Sequence, residues 1–117
     1  MVMQIFAALA DPTRAKIVEA LARRDLSAGE IAARFPVSRP AISRHLRVLR
    51  KARMVRSRGE AQRRVYSLNP AALDEVEHWL ARCREMWNRR LDRLDDYLKE
   101  MVAEEAKEAA KKSESRK

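Results

Sequence analysis

Apolar positions recur every three or four residues over most of the chain, break that period once, and then return to it. Ile5, Phe6 and Leu9 predict a short first helix. Asp11 followed by Pro12 marks a second start, an N-cap with proline at the first helical position, and Ala15, Ile17, Val18 and Leu21 form its apolar side. Ser27 with Glu30 three residues on is a capping box for a third helix, with Ile31, Ala32 and Phe35 facing inward. After the break "PVS", Ser38 caps a fourth helix that runs to about Ala52. "MVRSR" and "RRVYSL" then read as two strands around a Gly59–Glu60–Ala61 turn. Asn69 and Pro70 open a long last helix with apolar residues at 73, 76, 80, 83, 87, 91, 94, 98 and 101. Beyond residue 105 that seam is lost, and residues 106–117 are expected to form a disordered tail. There are no internal repeats.

This order predicts a mainly α fold with a small β-hairpin: a winged helix-turn-helix over residues 1–69, then a long helix over 70–105. On a helical wheel the fourth helix puts Ala41, Ile42, Leu46, Val48, Leu49 and Ala52 on one side. Arg39, Pro40, Ser43, Arg44, Arg47, Arg50 and Lys51 fall on the other. The N-terminal part of such a helix approaches base edges, which makes Arg39, Pro40, Ser43 and Arg44 the leading readers. Arg47 reaches a base or a phosphate one turn on. His45 falls inside the apolar arc, so it is either a domain-edge histidine or a DNA contact. Arg56, Arg58, Arg63 and Arg64 give the hairpin a basic tip suited to phosphate or a minor groove.

Charge sharpens this picture. The 117 residues carry a formal charge of +9, unevenly spread: residues 1–69 hold fifteen basic and five acidic side chains, residues 70–117 eleven and twelve. From Arg34 to Arg64 there is one acid, Glu60, among eleven bases. A solvated helix face balances its charges; a polyanion-binding one does not. No apolar run approaches the roughly 20 residues of a membrane span, and no signal-peptide pattern opens the chain, which points to a cytoplasmic protein. The single cysteine, Cys83, excludes an intrachain disulfide framework.

"FAALADPTRAKIVEAL", "LSAGEIAARFPVSRPAISRHLRVLRKARMV" and "RRVYSL" resemble the ArsR-type, arsenic-repressor-like winged-helix regulators over residues 3–69. "WLARCREMWNRRLDRLDDYL" resembles the last helix of an autorepressor branch that senses no metal. The resemblance implies a bacterial homodimeric repressor of transcription on double-stranded DNA, at a palindromic operator. By position it implies DNA contacts from Ser38, Arg39, Pro40, Ser43, Arg44 and His45, and from Arg63 and Arg64 on the wing. The family commonly has glycine where this chain has Arg53, and a left-handed Arg costs roughly 1–2 kcal/mol, which points to a differently built turn. Members that bind arsenic, cadmium or lead carry paired cysteines in the helix that here reads "LSAGEIAARF"; members that bind zinc use His and acid ligands on the last helix, where this chain has only His78.

No cofactor or metal is therefore expected. One cysteine and two histidines in separate elements do not make a tetrahedral site, and Asp74 with His78 is an ordinary surface pairing. Gly29 and Gly59 are isolated, so no loop cradles a phosphate, and no Ser–His–acid group suggests an enzyme. Cys83 on the seam reads as a small buried side chain rather than a redox switch.

A long helix cannot hide its whole seam on a 69-residue domain. Its heptad-like steps, with a stutter over 83, 87 and 91, match a twin helix. The expected dimer interface is Leu73, Val76, Leu80, Cys83, Trp87, Leu91, Leu94 and Leu98, joined by Ile5, Phe6 and Leu9 of the first helix. Two other readings compete with the repressor: a winged-helix module for a protein partner, and a low-specificity architectural DNA binder.

Overall fold

The computed structural model describes residues 2–115. It divides into two compact units, the first ending at Trp79 and the second beginning at Leu80. The first unit contains α1 (Val2–Leu9), α2 (Pro12–Arg23), α3 (Ala28–Arg34) and α4 (Arg39–Lys51). It also holds an antiparallel sheet of β1 (Leu26–Ser27), β2 (Val55–Glu60) and β3 (Arg63–Leu68), in the order β1-β3-β2. The last helix, α5, spans Pro70–Ser115 and so enters both units.

Helix starts lie where the caps put them. Asp11 Oδ2 accepts from the Arg14 N–H at 3.0 Å. Ser27 and Glu30 exchange both capping-box bonds, at 3.2 and 3.1 Å. Ser38 Oγ accepts from the Ala41 N–H at 3.3 Å. One such cap stabilises a helix by about 1 kcal/mol.

The core of the first unit draws on every one of these helices and on the sheet, with Ile5, Ile17, Leu26, Ile31, Leu49 and Met54 almost fully buried. Each such side chain contributes roughly 1.5–3 kcal/mol of burial. Ile42, Leu46 and Leu49 seat α4 on this core. Val48, expected on the same side, is 40 % exposed and lies at the edge of the contact.

The wing departs from expectation in two ways. Gly59 is not in the turn; it pairs with Arg64 inside the ladder, and the loop is the two residues Ala61 and Gln62, with Ala61 at φ 55. Buried Val55, Val65 and Tyr66 fix the register, and a two-residue loop then requires positive φ. The third strand was not legible. It is two residues long, pairing Leu26 with Tyr66 and Ser27 with Val65.

Arg53 does adopt the left-handed conformation, at φ 61, so the differently built turn is not found. Its N–H donates to the Arg50 carbonyl at 2.9 Å and that of Met54 to the Leu49 carbonyl at 3.0 Å. Buried Leu49 and Met54 lie either side of this closure. It is a Schellman ending with arginine in the glycine position. Two hydrogen bonds and an apolar contact outweigh the roughly 1–2 kcal/mol of backbone strain.

Two further expectations are corrected. Ile5 is 1 % exposed within a single chain, so its side chain belongs to the protomer's core and has no surface to offer a partner. Residues 106–115, expected to be disordered, continue α5 to Ser115. "AEEAKEAAKK" consists of strong helix formers with Glu108 four residues before Lys112, which favours the helix without an apolar seam. Residues 116 and 117 lie outside the described residues.

Candidate nucleic-acid interface

Burial of Ile42, Leu46 and Leu49 leaves the opposite side of α4 in solvent. Arg39 and Pro40 occupy its first turn behind the Ser38 cap, and Arg39, Pro40, Ser43, Arg44 and Arg47 are all exposed. None of the Arg39, Arg44 or Arg47 guanidinium groups has a hydrogen bond or ion pair among the described residues. Free forks on a rigid helix are what bidentate guanine recognition requires. Ser38 oxygen is occupied by its cap, which makes it first a helix-starting residue. Arg50 and Lys51 lie in the last turn, where positive charge also suits the helix dipole.

His45 is turned the other way. Its Nδ1 lies 3.3 Å from Arg14 Nη1 and 3.9 Å from Asp11 Oδ2, on the side of α4 that meets α2. Of the two readings open for it, the structure supports the domain-edge histidine. The backbone N–H of Arg14 is the main cause that holds the Asp11 carboxyl below the ordinary aspartate range.

The wing arginines are engaged where those of α4 are not. Arg58 Nη1 donates to Asp25 Oδ2 at 2.9 Å and pairs with Glu60. Arg63 donates to Glu30, which also pairs with Arg24. Arg56 Nη2 donates to Asn69 Oδ1 at 2.7 Å. Arg64 Nη1 donates to the neutral Ser57 Oγ, at 3.1 Å, and among the described residues no acid opposes its charge. The hydrogen bond to Asp25 raises the Arg58 pKa further above its ordinary value. The Ser27 backbone N–H is the main cause that lowers Glu30, with Arg24 and Arg63 adding to it.

Neither Asp25 nor Glu30 was foreseen as a wing partner. Their scarcity was the available signal, since residues 1–69 contain only five acids. The contacts bridge 33 residues of sequence, beyond the reach of periodicity.

On the second unit the α5 seam is bare. Leu80, Trp87, Leu91, Leu94 and Leu98 are 43–54 % exposed, Cys83 is half-buried, and Met86, Tyr97, Met101 and Val102 are exposed beside them. Arg90 lies over the Trp87 ring at 5.5 Å. In the first unit Phe6 meets Trp79 edge to face at 5.2 Å, Leu9 and Val76 are half-buried against the core, and Leu73 is 41 % exposed.

Among the described residues no group of three or more His, Cys, Asp or Glu side chains is placed to hold a metal ion. His78 Nδ1 donates to the main-chain carbonyl of Asp74 at 2.7 Å rather than meeting its carboxylate. No helix of the described residues is long and apolar enough to cross a membrane.

Comparison with known proteins agrees with this geometry. The sequence profile of the bacterial regulatory protein, arsR family, matches residues 11–57. The chain is 50 % identical over 84 residues to the HTH-type transcriptional regulator Rv2034 of Mycobacterium tuberculosis, covering 72 % of this chain and 76 % of that one. It is 40 % identical over 76 residues to the transcriptional repressor SdpR of Bacillus subtilis, covering 65 % and 84 %. An ArsR-like transcriptional regulator from Rhodococcus sp. RHA1 superposes with a TM-score of 0.73 at 38 % identity, over 80 % of this chain and 88 % of that one.

Proposed function

From the premise that the chain belongs to the arsR family of bacterial regulatory proteins and is a DNA-binding transcriptional regulator, not an enzyme, we propose a homodimeric, metal-independent repressor of a palindromic operator. The observation that carries this reading is the unpaired arginine face of α4. Arg39, Arg44 and Arg47, with Ser43, enter the major groove and read bases. Arg64 meets the backbone from the wing, and the other wing arginines follow only as far as their acids release them.

The exposed seam of α5 supports the dimer. Water against Leu80, Trp87, Leu91, Leu94 and Leu98 is unfavourable, and a twin helix with the same spacing covers it. Phe6 and Leu9 of α1 join the dimer interface. A two-fold dimer sets its recognition helices about 34–36 Å apart, one turn of DNA. The name of SdpR and the autorepressor-like last helix support repression, and the cytoplasm, where the DNA lies, is the place of action.

The test is selection of bound duplexes from a randomised pool, followed by footprinting of the winner. A protected two-fold repeat is expected. Binding without sequence preference favours an architectural role, and no DNA binding favours a protein partner. Zinc, cadmium or arsenite added to the same assay should leave affinity unchanged; a tenfold shift at one metal per chain would refute metal independence.

A further inference from the structure

Three side chains tie α4 to the corner between α1 and α2. Arg14 Nε donates to the Ala8 carbonyl at the end of α1, at 2.6 Å. Its Nη1 meets Nδ1 of His45 on α4 at 3.3 Å, and its own N–H is held by Asp11. Because a guanidinium only donates, Nδ1 is the acceptor in this contact. The His45 side chain is 19 % exposed and lies next in sequence to the outward-facing Arg44.

We propose that Arg14 and His45 are a positioning pair: a polar strut that sets the rotation of α4 about its own axis, and with it base selectivity, while neither side chain touches DNA. This rests on the DNA-reading function proposed above. The apolar contacts of Ile42, Leu46 and Leu49 hold α4 strongly but carry no direction, so they tolerate small rotations. Binding constellations work only within about 0.5 Å and 10–20° of their geometry. A long arginine amplifies any rotation at its root. The strut supplies a directional restraint, and its far end is anchored on the α1 backbone rather than on another mobile side chain.

The test uses the full chain and a duplex enriched by the wild-type protein from a randomised pool. His45→Leu, His45→Asn and Arg14→Lys are compared on that duplex and on random duplexes at several salt concentrations, with thermal unfolding alongside. His45→Leu should lower the preference for the enriched duplex about tenfold, the scale of a lost hydrogen bond to a charged donor, with random-duplex affinity and salt slope unchanged. His45→Asn, whose Oδ1 stands where Nδ1 stood, should recover most of it. Arg14→Lys, which keeps charge but loses the fork, should resemble His45→Leu.

Equal weakening on both DNAs with a salt slope shallower by about one makes His45 a phosphate contact and overturns the strut. So does unchanged preference in His45→Leu or, if that variant does not fold, in Arg14→Lys. A wild-type selection that enriches nothing overturns sequence-specific reading itself, and the strut with it.

Discussion

The side-chain amide of Asn69 donates to the main-chain carbonyl of Arg53 at 2.8 Å, joining the start of α5 to the turn that ends α4. The same side chain accepts from Arg56 at 2.7 Å and from the Ala71 N–H at 3.2 Å. The Asn69 N–H donates to the Met54 carbonyl at 2.9 Å. One residue thus fastens the recognition helix, the wing and the last helix together.

That relationship separates two substitutions. Arg53→Gly relieves the left-handed strain and should raise unfolding free energy by about 1 kcal/mol. Asn69→Ala removes a cap and leaves the Arg53 carbonyl without its partner, and should lower it by about 1–2 kcal/mol. Chemical denaturation measures both. A destabilised Arg53→Gly would mean that Arg53 makes a contact its backbone does not reveal.

Reading and holding should come apart on DNA. Arg44→Ala should cost roughly 1–3 kcal/mol on the selected duplex and relax preference at one position in each half-site. Arg64→Ala should weaken selected and random duplexes by similar factors and flatten the salt dependence by about one ion per subunit. Arg58→Ala and Arg63→Ala should flatten it less, because Asp25 and Glu30 already oppose their charge. Affinities on single-base variants at several salt concentrations decide the matter. Changed base preference in Arg64→Ala, with uniform weakening in Arg44→Ala, would reverse the two assignments.

Acid should loosen the first unit through its caps. Glu30 and Asp11 have folded-state pKa values below their ordinary 4.5 and 3.8. Their stabilisation is therefore complete above those ordinary values and is lost as pH falls through the lowered ones. The stability of Glu30→Gln, followed by thermal unfolding from pH 6 downward, should fall less steeply below about pH 4.5 than wild type. Parallel curves would show that Glu30 titrates alike in both states.

Leu80→Asp tests the seam. A charge in the paired face should shift the chain toward monomer and weaken the selected duplex far more than a single half-site, since one monomer holds one half-site. Sedimentation over a concentration range reads the first effect. A wild-type chain that is monomeric and well folded at micromolar concentration sinks the dimer.

The elements legible in the sequence were those whose signals are local. Asp11–Pro12, Ser27 with Glu30, and Ser38 announced three helix starts because a cap and its N–H partner lie within three residues. The β-prone residues Val55, Val65 and Tyr66 announced the hairpin, but the loop position depended on register, which is a property of the pairing. Arg53 looked unsuited to its turn because single-residue propensity disfavours positive φ, whereas the Leu49–Met54 closure that overrides it depends on how the helix ends. At the site, the outward arginines of α4 followed from the wheel, while the tethering of Arg58 and Arg63 required knowing what folds beside the wing.

Ser27 belongs to two elements at once: its backbone pairs with Val65 in the sheet while its hydroxyl starts α3. No spare residue separates strand from helix, so the joint has no slack. The wing and the first half of the helix-turn-helix therefore behave as one machined part, and the spacing between them is cast rather than adjustable. Anyone grafting this hairpin onto a related regulator must carry Leu26 and Ser27 with it, and an insertion between Leu26 and Glu30 should uncouple the wing even where each piece still folds.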